Sequence, residues 1–237
     1  MAENTINRKE GESISMYELE FKEEEIRVIL NALDFYSRIW IGQYREIMMD
    51  LRWYRNYKQL DDLDEILRRK FWNMRIILLP KLRHYDLSAS HGIFSPDRDV
   101  KAAIAYDMQQ EFRYRRAWFL KPEGGYTVDF GSPLPCGDDP CDFPKAECYM
   151  VDGEFRIKVY IDDVQLGILI DALNIGILEY GCQIRKLFEY YTENAEALKI
   201  ADELTEILMC VETVREIDNK IDYDLVRRLT AVRDNKE

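Results

Sequence analysis

Within ten residues, Ile104 to Arg113 (IAYDMQQEFR), the chain sets a tyrosine, an aspartate, two glutamines, a glutamate and an arginine among apolar neighbours. These types suit recognition more than bond breaking. A tyrosine such as Tyr106 stacks on a base or donates a hydrogen bond, Asp107 and Gln110 read a ribose hydroxyl or a base, and Arg113 faces phosphate. On a helix, Asp107 falls about 60° and Glu111 about 20° from Ile104, so two acids intrude on the core-facing stripe. A buried carboxylate needs a partner, because an unpaired charge costs several kcal/mol. The ordinary partner is a helix start or an arginine; the functional one is a ligand hydroxyl or amine.

Three residues outside this run join the candidate set. Arg38 lies on the helix face opposite the apolar seam, where it either pairs with Asp34 in solvent or turns to a phosphate. Gln43 borders the seam and either bonds a neighbouring helix or reads a ligand. His91 opens the loop Gly92-Ile-Phe-Ser-Pro96, whose backbone N–H groups suit an anion, though a loop histidine is commonly just solvated. Catalytic constellations are missing: the chain has no glycine-rich phosphate loop, no H-E-x-x-H and no serine or cysteine in a nucleophile motif. Glu203 and Glu206 have the i,i+3 spacing of a magnesium pair but read as a solvated face. Cys136, Cys141 and Cys148 form C-x4-C-x6-C without a nearby fourth ligand, so no metal and no cofactor are expected.

The elements that must position these residues repeat. Met16-Tyr-Glu-Leu-Glu-Phe21 alternates like a half-buried strand and runs into Glu23-Glu-Glu25, an acidic helix start; Arg156 to Ile161 followed by Asp162-Asp163 has the same order. At a spacing of 140, residues 28–47 align with 168–187 and share Ala32/Ala172, Leu33/Leu173, Gln43/Gln183 and Arg45/Arg185. Apolar residues recur from 26 to 51 with a period of 3.5, which predicts a long helix: about 28 residues would reach about 40 Å. A second helix recurs as Leu63 to Leu67 and Leu204 to Leu208, and a third as Ile104-Ala-Tyr-Asp107 and Ile221-Asp-Tyr-Asp224. Between the copies, Pro122 to Phe130 reads as a turn and a short strand, and Asp152-Gly153 as a hairpin turn. The expectation is an α+β fold, mainly α, of two tandem strand-helix-helix-helix repeats about a pseudo-twofold axis with a small antiparallel sheet. Residues 1–130 form the first repeat, 131–147 a linker and 148–237 the second.

Composition narrows the partners. Of the 237 residues, 47% are apolar and 12% aromatic, enough for a real core. The net charge of −12 comes from residues 121–237, which hold 13 Lys+Arg against 25 Asp+Glu, while residues 1–120 hold 20 of each. That balance excludes duplex nucleic acid, whose affinity comes from a basic surface, but leaves the arginine-rich first half able to hold a small anion. Five cysteines, an odd number, argue for reduced thiols. No apolar run reaches the roughly 18 residues of a membrane span, and the polar start MAENTINRKEGESIS does not resemble a signal peptide, so no membrane partner is expected and a cytoplasm is.

Four segments carry a resemblance: Leu30 to Gln43 (LNALDFYSRIWIGQ), Gly92 to Pro96 (GIFSP), Ala105 to Arg113 (AYDMQQEFR) and Pro122 to Asp129 (PEGGYTVD). The first copy resembles a family of small accessory proteins encoded by tailed phages and prophages. The second copy keeps only the scaffold and the Tyr223-Asp224 pair. After Arg113, where such chains carry histidine, Tyr114 stands here. The resemblance implies a phage protein acting in the cytoplasm of an infected bacterium, and by analogy an anti-defence role. The leading expectation is a non-enzymatic binder that sequesters a nucleotide-derived immune signal, of the ADP-ribose or cyclic nucleotide kind. The others are a helical module that inhibits a host or phage protein and a metal-dependent nucleotide hydrolase. Further association into a homo-oligomer stays open.

Overall fold

The computed structural model of the protein describes residues 16–45, 72, 75, 76, 79–125, 128–136, 141–181 and 218–234, with side chains described except in 175–181 and 218–223. The expected second helices and Gln183, Glu203 and Glu206 lie outside them. In chain order come β1 (Met16–Lys22), α1 (Glu23–Ile41), a 3-10 turn (Pro80–Leu82), α2 (Val100–Leu120), β2 (Lys145–Val151), β3 (Glu154–Asp162), α3 (Asp163–Gly181) and α4 (Asp218–Asp234). The fold is mixed α and β with more helix.

Alternation builds the sheet. Tyr17, Leu19 and Phe21 of β1 turn inward with Ala146 of β2 and Phe155, Ile157, Val159 and Ile161 of β3, so one face is apolar. The strands are antiparallel in the order β1-β3-β2, and Leu19 pairs with Val159. Asp152 and Gly153 turn the β2–β3 hairpin with φ of 52° and 82°, the left-handed conformation a two-residue hairpin turn requires. The outer face carries charge pairs such as Lys158–Glu18 at 2.6 Å and Arg156–Glu20 at 3.6 Å. The helices lie on the apolar face: α1 packs along α2 and α3, and α3 along α4.

Helix starts are fixed locally. Glu25 accepts the backbone N–H of Lys22 at 2.8 Å at the head of α1. Asp162 and Gln165 exchange side-chain-to-backbone bonds of 2.8 and 3.0 Å at the head of α3. Asp99 caps α2 by accepting the Lys101 N–H at 2.8 Å. Each satisfies a donor that the helix leaves open. An arginine then ties two elements together: Arg116 of α2 holds both oxygens of Glu23, the first residue of α1, through Nε at 3.0 and 3.1 Å.

The long first helix is corrected. α1 stops at Ile41, after 19 residues, because Gly42 takes φ 85° and its N–H closes on Arg38 and Ile39 carbonyls. A Cβ at Gly42 would stand 2.7 Å from Leu82 Cδ1 and 3.1 Å from Leu79 Cδ1. The apolar seam therefore reads across a break, and Gln43 sits beyond the helix, its N–H on the Arg38 carbonyl at 2.9 Å. The short strand expected before Phe130 is also absent among the described residues, where 128–130 carry no ladder. Gly42→Ala combines a left-handed backbone with a clash, so urea denaturation should show a loss of about 2 kcal/mol. A loss below about 0.5 kcal/mol would mean the turn relaxes freely.

Candidate functional site

α2 is the central helix. Between Ala102 and Phe112 every residue but Tyr106 is buried, including Asp107, Gln109, Gln110 and Glu111. Each of those polar groups needs its own partner. Asp107 Oδ1 accepts the backbone N–H of Cys136 at 2.7 Å, so the acid on the stripe is met by the chain that follows the helix. Glu111 Oε1 accepts from Arg115 Nε at 2.7 Å and from the Ala146 N–H on the outer edge of β2 at 3.3 Å. Gln110 Nε2 donates to Gln109 Oε1 at 2.9 Å, and Gln110 Oε1 accepts from Arg113 Nη2 at 3.1 Å.

The segment after α2 doubles back along it. Gly124, at φ 81°, lies against Trp118, where a Cβ would stand 3.1 Å from the indole. Tyr114 Oη donates to the Gly131 carbonyl at 2.9 Å, and Cys136 reaches Asp107. Cys136 Sγ also contacts the Ile93 carbonyl at 3.8 Å, which links this strap to the loop of residues 91–96. In that loop the Phe94 ring, 59% exposed, meets half-buried Tyr106 edge-on with centroids 6.0 Å apart. Burial raises the Tyr106 phenol above its usual value.

The expected site residues thus divide into two places. Tyr106, Gln110 and Arg113 share a face of α2 beside Phe94, with Asp107 turned to the strap. Arg38, Gln43 and His91 gather instead at the C-terminal end of α1. Arg38 Nε holds Asp34 at 2.8 Å, the i,i+4 pair that was the ordinary alternative. The His91 backbone N–H donates to the Ile41 carbonyl at 2.8 Å, closing the helix end. The negative end of a helix dipole disfavours phosphate there. Burial lowers the His91 pKa, opposed by Asp97 and assisted by Lys81.

Two residues escaped sequence reading. Gln109, the neighbour of Gln110, is 8% exposed and belongs to the same polar group. Arg75, fully buried, lies with its guanidinium 5.1 Å from the Trp72 ring and donates to the carbonyls of Tyr85, Asp86 and Ala89, the last at 2.8 Å. It shapes the loop leading to His91, and no local pattern marked it. Burial pushes the Cys148 thiol up to about 12, far from a reactive thiolate. Among the described residues no three His, Cys, Asp or Glu side chains converge as metal ligands.

Comparison with protein-family models, curated proteins and solved structures found no match. Function therefore rests on the geometry.

Two outcomes test that geometry. Asp107→Ala leaves the Cys136 N–H without its acceptor and should cost about 2 kcal/mol in chemical denaturation, whereas Asp107→Asn keeps an acceptor and should cost less than half as much. Equal losses would show that Asp107 works by charge alone. For His91, NMR titration should give a pKa below the ordinary 6.5. A depressed histidine favours the neutral fold, so its contribution is complete above pH 6.5 and declines as pH falls toward the folded pKa. A pKa at or above 6.5 would contradict the burial.

Proposed function

We propose that this is a non-enzymatic binding protein that takes a small nucleotide-derived ligand on the α2 face and withholds it from an effector. The observation that carries the reading is the aromatic ledge of Phe94 and Tyr106 beside the Gln110–Arg113 pair. An exposed ring next to a guanidinium suits a base joined to an anionic group. The role follows the resemblance: a phage accessory protein, working in the cytoplasm of the infected cell, that removes an immune signal of the ADP-ribose or cyclic nucleotide kind. No described helix is long and apolar enough to cross a membrane.

The reading includes a duplicated chain arranged about a pseudo-twofold axis. In support, the strand-to-helix breaks at Lys22/Glu23 and Asp162/Asp163 lie 140 residues apart, and the antiparallel register centres on Leu19 and Val159, also 140 apart. Buried positions correspond in α1 and α3: Ile26 with Leu166, Ile29 with Leu169, Ala32 with Ala172 and Leu33 with Leu173. In α2 and α4, Met108 corresponds with Leu225 and Phe112 with Leu229, 117 residues on. The polar residues do not follow. Asp224, the counterpart of Asp107, is exposed and among the described residues bonds Arg227 at 3.3 Å, so one ligand per chain is expected.

A second reading, a module that grips a host or phage protein, draws on Phe119, Leu120, Met150 and Val151. These stay 36 to 53% exposed where α2 ends beside the hairpin, and Phe119 packs on Phe155 there.

Thermal melts against ADP-ribose, its cyclisation products, cyclic dinucleotides and NAD separate the two. A ligand at 100 times its Kd stabilises the native state by about 2.7 kcal/mol, a rise of several degrees, and boiling should release it unchanged. Arg113→Ala should abolish the rise. A flat panel, with capture of one protein that depends on Phe119 and Met150, would favour the module; chemically altered ligand would make the protein an enzyme.

A further inference from the structure

The direction of the hydrogen bonds on α2 bears on the chemical class of the ligand, an inference that rests on the ligand-binding reading above. The guanidinium of Arg113 has donors only. Gln110 must therefore turn its oxygen to Arg113, as it does at 3.1 Å, which leaves its amide N–H to face Gln109 Oε1 at 2.9 Å. With its oxygen engaged, Gln109 presents its own N–H pair. The arginine's charge decides this direction, so it does not depend on a choice between two similar amide orientations.

The result is a patch of donors. The Gln109 N–H pair has no partner among the described residues and stays open to solvent, although the residue as a whole is only 8% exposed. Arg113 Nε is buried without a partner. An unmet buried donor costs about 1–3 kcal/mol, an expense relieved when an acceptor arrives. Residues 106, 109, 110 and 113 span about 100° of the helix, so the Tyr106 hydroxyl borders the same patch. A base edge, with mixed donors and acceptors, matches it poorly. An oxyanion with several acceptor oxygens and negative charge matches it well.

We propose that Gln109 and Arg113 form a phosphate subsite, with Gln110 as the positioning residue that fixes its polarity, and that the ligand is a phosphate-bearing nucleotide whose base lies on Phe94 and Tyr106. Gln109 holds the phosphate through its amide N–H pair, and Arg113 supplies the balancing charge. A neutral nucleoside leaves the patch unmet.

Calorimetry at low salt with inorganic pyrophosphate, ADP-ribose and adenosine tests the subsite on wild type, Gln110→Glu and Gln109→Met. The new carboxylate would accept from both neighbours, turn the Gln109 oxygen outward and neutralise Arg113. Wild type should bind pyrophosphate, and should bind ADP-ribose at least about tenfold more tightly than adenosine. Gln110→Glu should weaken pyrophosphate by at least about tenfold and erase the preference for ADP-ribose, with a smaller loss for adenosine than for pyrophosphate. Gln109→Met, which removes the donor pair together with the oxygen that accepts from Gln110, should weaken pyrophosphate in the same direction and serves alone if Gln110→Glu fails to fold. Wild type that ignores pyrophosphate, or variants that bind it as well as wild type does, would overturn the subsite. The broader reading fails separately: if pyrophosphate binds as expected while ADP-ribose binds no better than pyrophosphate, the subsite stands and the aromatic ledge does not hold a base.

Discussion

The described part of the fold is organised around a helix that is buried nearly all the way round yet carries four polar side chains in its buried span. Burying an amide or carboxylate without a partner costs more than most single contacts return, so each polar group on α2 dictates a neighbour. Asp107 requires the strap, because the Cys136 N–H is its donor. Glu111 requires both Arg115 and the edge of β2, where it occupies the Ala146 N–H that an open strand would otherwise present to solvent. The glutamine pair requires Arg113. Apolar packing of Ile104, Met108 and Phe112 holds the helix in place, while the polar set decides what lies beside it.

Much of this arrangement was legible in the residues, and what was not has physical reasons. Strand alternation at Met16 to Phe21 and Arg156 to Ile161, the Asp152-Gly153 turn and the third helices are local patterns, and each appears where local physics puts it. The end of α1 is different. Apolar spacing continues past residue 41, and a glycine inside a helical pattern is tolerated often enough that Gly42 did not interrupt it. What makes it a stop is its approach to Leu79 and Leu82, a contact between segments nearly 40 residues apart that periodicity does not encode. Arg75 escaped for a related reason: an arginine in sequence reads as surface, and only the loop carbonyls gathered around it explain its burial.

The candidate site divides along the same line. Residue type grouped Tyr106, Gln110 and Arg113, and the structure places the three on one face of α2. Arg38, Gln43 and His91 were grouped with them on type as well, yet their positions depend on where α1 ends. That break sets them among helix carbonyls, which attract donors and repel phosphate. Gln109 was overlooked because nothing distinguishes it from Gln110 until the direction of the hydrogen bonds is known.

The contrast between Asp107 and Asp224 shows how similar helices come to differ in what they offer. Both follow a tyrosine and precede a large apolar residue, and the apolar residues after them, Met108 and Leu225, are equally buried. Among the described residues, the strap folds back on α2 and covers Asp107, while Asp224 remains in solvent. Burial changes the meaning of the polar residues nearby. In solvent, an arginine beside a glutamine contributes little, since water competes for both. On a helix already enclosed by strap, sheet and neighbouring helices, the same pair holds its donors in fixed positions before any ligand arrives. Donors fixed in this way lose less freedom when they meet an acceptor than donors on a mobile surface do.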